Sequence, residues 1–268
     1  MATYYLKTDI QNYDPVLAAN ATWMITNYGI NEHARLFRSY TPRPMPGCIM
    51  AVGDQFSKNN ELAAKKLQNQ AIAHALSQSI IKEALHYKYA GVYLSFSHPC
   101  DLTVLAHALL KQAGRNIRLL FNANQVSRCP SGIGLVLCPN FDRGFQAQVT
   151  SFCGKNKETP LCIEIDLSAY LFPLPDLSKS PSRLVCSYAP ELCSNKGASF
   201  FYDSAHLCHY ATFMQDDNPS ICLFDTPKTF LEKMAYIKNT TQISATIIDY
   251  DGAAGLLGND FAAFLGSL

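Results

Sequence analysis

The sequence predicts a (β/α)8 TIM barrel. Three observations predict it: eight short apolar runs recur along the 268 residues, helical patterns fall between several of them, and the runs are apolar on both faces. The runs are Thr3 to Lys7, Thr22 to Tyr28, Cys48 to Gly53, Gly91 to Ser97, Ile117 to Asn122, Ile133 to Cys138, Leu161 to Asp166 and Ala245 to Asp249. Strands buried on both sides fit a parallel sheet covered by helices, with an eight-stranded doubly wound sheet as the alternative. The 16% content of charged residues is low against roughly 25% in ordinary domains, so much of the chain is interior.

Between the third and fourth runs, Glu61 to Lys88 reads as one long helix, with Ile72, Leu76 and Ile80 four apart and Ile81 and Leu85 on the next ridge. Asp101 caps a helix carrying Leu102, Leu105 and Leu109 and stopped by Gly114. Thr226 and Pro227 start a later helix with Phe230, Leu231, Met234 and Ile237. Leu167 to Asp225 is too long for a single connection and holds strand-like pieces at Leu184 to Tyr188 and Ser199 to Tyr202. We therefore expect one barrel domain over residues 1–268, with 167–225 inserted after the seventh strand. Pro173, Pro175, Pro181 and the serines beside them form its neck.

A net charge of +1 gives no general field for phosphate backbones or acidic lipid surfaces, which argues against nucleic-acid and membrane partners. No run approaches the ~18 apolar residues of a spanning helix. Residues 1–7 lack a basic segment followed by an apolar core, and the ten cysteines contain no Cys-x-x-Cys pair. The expectation is a cytoplasmic protein with reduced, buried thiols, a spore-associated or signal-trimmed protein being the alternative. No cofactor and no metal is expected.

Parity in the fourth run places Val92, Leu94 and Phe96 against helices and Tyr93, Ser95 and Ser97 in the lumen. The order of elements resembles glycoside hydrolase family 18, the chitinase-like barrels, and especially the bacterial branch with spore cortex-lytic glucosaminidases. In that family a long helix and a tyrosine-rich turn precede a strand bearing Asp-Gly-x-Asp-x-Asp-x-Glu. Here Leu85-His86-Tyr87-Lys88-Tyr89 precedes Ala90-Gly91-Val92-Tyr93-Leu94-Ser95-Phe96-Ser97. The glycine and the alternation match, whereas the acidic positions become Ala90, Tyr93, Ser95 and Ser97. Phe200 to Asp203, Ile221 to Asp225 and Thr229 to Lys233 look like the family's penultimate strands and last helix. Asp249 falls where the family carries a tryptophan, and Leu137-Cys138-Pro139-Asn140 departs from its Met-x-Tyr-Asp. The resemblance implies a substrate-assisted glycosidase barrel, and the substitutions imply that its proton donor is gone, because a serine hydroxyl cannot protonate a glycosidic oxygen usefully near neutral pH. The expected role is a non-catalytic or degenerate pseudoenzyme that binds an N-acetylglucosamine-containing glycan or a protein partner.

The alternative is an active glycosidase with relocated acids. Glu164 and Asp166 share the parity of Cys162 at the end of the seventh run, and Asp249 and Asp251 end the eighth, so the four can meet at the mouth. Loop caps or partners for Lys and Arg are the structural reading of the same four. Tyr28, Tyr93, His98, Asn122 and Asn140 are candidate ligand contacts around that mouth. Trp23 shares the parity of Ile25 and should face a helix. His206 and His209 can share a helix face as a weak zinc site, and Arg35, Arg38 and Arg43 surround Tyr40 as the one basic cluster.

Overall fold

A computed structural model describes residues 3–14, 21–114, 116–141, 143–174, 181–215 and 218–268. The eight barrel strands are β1 (Thr3–Thr8), β2 (Thr22–Ile30), β4 (Ile49–Gly53), β5 (Gly91–Leu94), β6 (Arg118–Asn122), β7 (Gly134–Leu137), β8 (Leu161–Ile165) and β14 (Ile243–Asp249). Each matches one apolar run of the sequence. All eight are parallel to their neighbours, and β1 pairs with both β14 and β2, which closes the sheet. β3 (Leu36–Arg38) adds an antiparallel strand outside β2. The fold is a (β/α)8 TIM barrel.

The helices are α1 (Asn60–Leu67), α2 (Gln70–His86), α3 (Thr103–Ala113), α4 (Phe145–Lys155), α5 (Ala189–Asn195), α6 (Pro227–Lys238), α7 (Tyr250–Leu257) and α8 (Phe261–Ser267). The single helix expected over 61–88 is two, because Asn69 accepts hydrogen bonds from the Ala71 and Ile72 amides and so caps a fresh helix. Leu85, assigned to the buried ridge by spacing, is exposed on the far side of α2. Asp101 does stabilise the start of α3, accepting from the Thr103 amide at 2.9 Å, and Gly114 ends that helix at φ +60°. Thr226 and Thr229 form a reciprocal capping box at the start of α6.

Alternation along the strands divides the interior into two layers. Leu6, Ile25, Met50, Val92, Phe121 and Ile163 face the helices, while Tyr5, Met24, Ile49, Leu120, Val136 and Ile247 fill the lower lumen. Burying each such side chain stabilises by about 1.5–3 kcal/mol. Trp23 joins the helix-facing layer, against Tyr13 and Tyr250 at 5.4 and 5.0 Å between ring centroids.

Between β8 and β14 the chain builds a separate antiparallel sheet from β9 (Ser168–Pro173), β10 (Ser182–Val185), β11 (Phe200–Asp203), β12 (Cys208–Gln215) and β13 (Asn218–Phe224), in the order β10-β9-β13-β12-β11. One face packs Ala169, Leu171, Ala211, Phe213 and Cys222 together with Cys193 of α5. Pro175 and the serine-rich neck after it lie outside the described residues. No described helix is long and apolar enough to cross a membrane, and the ten cysteines are free thiols.

Candidate functional site

The lumen changes character at the C-terminal ends of the strands. Below, it is filled by the apolar layer. Above, it opens into a cavity of about 590 Å³, the end at which barrel proteins assemble their sites. Inward parity brings Lys7 up from Tyr5 on β1, Ser95 from Tyr93 on β5, Asn122 from Leu120 on β6, and Glu164 and Asp166 from Cys162 on β8. Asp249 closes the ring from β14, opposite Lys7 in register.

Glu164 is the most enclosed of these acids. Its carboxylate accepts from the Lys7 ammonium, from the Tyr93 hydroxyl and, at 3.3 Å, from the Cys138 thiol. Burial by itself would raise its pKa, but the Lys7 charge and these three donors outweigh that and hold it below the ordinary carboxylate range. Lys7 feels the same contest. Burial works against its ammonium, and Glu164 more than offsets it, so its pKa is raised. Burial first, then the neighbouring Glu164 charge, drives the Tyr93 and Cys138 protons to leave only at higher pH than usual. The thiol is thus a donor in this site and not a thiolate nucleophile.

Asp166 forms a second pairing. Arg183, carried in from β10, meets it at 2.7 Å, while Ser168 and Tyr170 donate hydroxyl hydrogen bonds. Burial pushes its pKa up, and the Tyr170 hydrogen bond and Arg183 charge bring the balance below the usual value. Asp249 differs. No described cation pairs with it, and its pKa is raised, by burial first and also by the Asp166 and Asp251 charges, although the Gly252 amide and Lys7 pull the other way. A Cβ on Gly252 would sit 2.5 Å from Asp249 Oδ2, so only glycine permits that approach.

Asp251 stands in the first turn of α7, not at the end of the eighth strand as its spacing suggested, and accepts from Thr8 Oγ1 and Asn12 Nδ2, each at 3.0 Å. It still lines the mouth with Glu164, Asp166 and Asp249. Ala90 sits just before β5, and Tyr93, Ser95 and Ser97 follow the inward course that the sequence predicts. Ser97 is held by Asp54, which accepts from its amide at 2.9 Å, its hydroxyl at 2.8 Å and the His98 amide at 3.0 Å. Asn122 lies over Ser95 and Cys138 at 3.4 and 3.5 Å.

Four candidate residues are placed elsewhere. Tyr28 does not face the mouth. β2 inserts an extra residue between Ile25 and Tyr28 relative to β4, and this bulge reverses parity so that Tyr28 is fully buried among helix-facing residues, against Tyr89. Asn140 lies beside a cleft between the barrel and the second sheet, its backbone bonded at both ends by the Gln148 amide. His206 and His209 share no helix: His206 is in a turn bonded to Asp203 at 2.8 Å, and His209 is in β12, stacked on Phe224. Among the described residues no cluster of three or more His, Cys, Asp and Glu could hold a metal ion. Arg38, from the basic cluster, is paired with Glu83.

Composition and spacing did not single out Lys7, Asp54, Gln55 or Arg183, all of which line this cavity. The parity of Tyr5 was sufficient to find Lys7.

No family model and no curated protein matches the chain. Solved structures do. A putative chitinase C-terminal domain from Desulfitobacterium hafniense aligns with TM-score 0.70 at 11% identity, over 99% of this chain and 97% of the other. A glycoside hydrolase family 18 N-acetylglucosaminidase from Paenibacillus barengoltzii aligns with TM-score 0.62 at 13% identity, over the whole of both chains. The spore cortex-lytic enzyme SleL of Bacillus megaterium aligns with TM-score 0.64 at 12% identity, over 99% of this chain and 73% of the other. The fold is that of the family 18 chitinase-like barrels. At such identities the likeness carries the architecture and not the chemistry.

Proposed function

We propose that this family 18-like barrel is a non-hydrolytic binding protein whose mouth receives a glycan containing N-acetylglucosamine-type units. The reading takes residues 1–268 as one unit, with 167–225 as its elaborated loop. The observation that carries it is the pairing of the β8 acids: Glu164 with Lys7 and Asp166 with Arg183. Both carboxyls are held below their ordinary range, so both are ionised at neutral pH and neither has a proton to give a glycosidic oxygen. At the strand positions where the resemblance would put the family's acids, the chain offers Tyr93, Ser95 and Ser97. The polar wall formed by Ser95, Ser97, Asn122 and Gln55 suits hydrogen bonding to sugar hydroxyls. We expect N-acetylglucosamine oligomers to bind in calorimetric titration while no reducing ends appear on long incubation. Turnover abolished by Ser97→Ala would overturn this reading.

One observation favours a second reading. Asp249 is the mouth acid whose pKa is raised and which no described cation pairs, the condition a proton donor needs. If the barrel hydrolyses a glycan by relocated acids, Asp249→Asn abolishes turnover and leaves the melting temperature within a few degrees. Retention of full activity in that variant removes Asp249 from the chemistry.

A further inference from the structure

The charge of the mouth selects among amino-sugar glycans, and this step rests on the glycan-binding reading above. Six carboxylates line the cavity, from Asp9, Asp54, Glu164, Asp166, Asp249 and Asp251, against two cations, Lys7 and Arg183, an excess of four negative charges. The whole chain is +1, so the rest of the molecule carries +5. The asymmetry is therefore local to the mouth and is not a property of the composition. Both cations are already engaged, by Glu164 and Asp166. The other four acids accept only uncharged donors in the described structure: the Gln11 amide for Asp9, Ser97 and the His98 amide for Asp54, Thr8 and Asn12 for Asp251, and the Gly252 amide for Asp249. A concave wall of one sign focuses its field into the space it encloses.

We propose that the mouth is built for a cationic amino-sugar chain, one whose units carry free ammonium groups, in preference to its fully N-acetylated counterpart. The acids are spread over the turns after β1 and β4, β8 and the residue after it, β14 and α7. That spread suits several ammonium groups along a chain better than one compact ion. Such groups also relieve the crowding of Asp249 by Asp166 and Asp251. The hydroxyl and amide donors between the acids remain available to the uncharged parts of each sugar.

Calorimetric titration of the full chain with a glucosamine hexamer and an N-acetylglucosamine hexamer, at low salt and at about 0.5 M sodium chloride, tests the inference. The expected result is at least about tenfold tighter binding of the glucosamine hexamer at low salt, with the preference shrinking steeply as salt screens the wall. The double variant Asp249→Asn/Asp251→Asn should lose most of that preference, read as the ratio of its two affinities, with its fold checked by circular dichroism. Equal affinities, or tighter binding of the acetylated hexamer, overturn the charge inference and leave the glycan reading standing. Failure of both hexamers to bind overturns the glycan reading as well. Stoichiometric calcium binding that Asp249→Asn/Asp251→Asn abolishes reassigns the wall to a metal and likewise overturns the inference.

Discussion

Two ion pairs with the same chemistry sit in different places, Lys7 with Glu164 in the barrel mouth and Lys233 with Asp225 where α6 meets the inserted sheet. The Lys233 ammonium touches both Asp225 oxygens, at 2.8 and 2.7 Å, and lies 5.7 Å from the centre of the Phe145 ring, while Thr229 donates to the same carboxylate at 2.9 Å. Its two side chains are 10% and 5% exposed. The Lys7 side chain is 33% exposed and Glu164 10%. The junction pair is sealed against a cleft of about 50 Å³, whereas the mouth pair opens onto the large cavity. A sealed pair fixes one arrangement of two packed elements. An open pair sets the charge and proton state of a surface that a ligand can reach.

Removing one partner from the sealed pair should have the largest effect in the molecule. Lys233→Ala leaves the Asp225 carboxylate buried without a cation, and losing one partner of a buried pair costs about 3–5 kcal/mol. Chemical denaturation at pH 7 should show that loss, and Lys233→Met/Asp225→Leu should recover most of it. If the single variant costs no more than a surface substitution, the junction is not sealed as described.

Lys7→Met should cost less, because water reaches the mouth, and its signature is in pH. With Lys7 present the folded pKa of Glu164 lies below its unfolded value. The unfolded chain then binds more protons between the two, and the stability this pair contributes is present above the unfolded pKa, near 4.5, and fades as pH falls through the folded one. Without Lys7, burial dominates and the Glu164 pKa rises above its unfolded value. The variant should lose stability as pH climbs through that new value. Denaturation midpoints measured from pH 3 to 8 should therefore separate the two proteins most at neutral pH and bring them together in acid. A constant offset across that range would mean that Lys7 contributes packing and not charge.

How much of this was legible in the sequence depended on how local each cause is. The eight strands came from recurring runs that are apolar on both faces, and parity within two of them put Tyr93, Ser95, Glu164 and Asp166 on the luminal side, where the structure has them. Tyr28 failed because one inserted residue in β2 reverses parity, and no composition signal marks a bulge between Ile25 and Tyr28. The 61–88 helix failed at a cap, where Asn69 outweighed a continuous apolar ridge. Arg183 was out of reach for another reason. It meets Asp166 only because β10 pairs with β9 in a register that sets Arg183 opposite Tyr170, which is tertiary information. Asp54, in the turn after β4, is likewise recognised only once Ser97 and His98 are brought over it.

The smallest expected effect is also the one that best distinguishes the mouth from the junction. Asp249 is an acid whose folded pKa lies above its unfolded value of 3.8, by burial first and then by its acidic neighbours. Between those two values the folded chain binds more protons than the unfolded one, so ionising Asp249 costs stability, and the full cost is present once the pH exceeds the folded value. Asp249→Asn removes that cost while keeping the shape. The variant should be equal to or slightly more stable than the parent at pH 7, with the difference vanishing below about pH 3.8, where the carboxyl is neutral in both states. Asp225→Asn at the junction should do the reverse at pH 7, since it strips a buried ammonium of its counter-charge. Denaturation curves for the two variants side by side would then move in opposite directions at neutral pH. If Asp249→Asn destabilises as Asp225→Asn does, then Asp249 is a structural anchor and the mouth's negative excess is offset by contacts within the chain, not kept for a ligand.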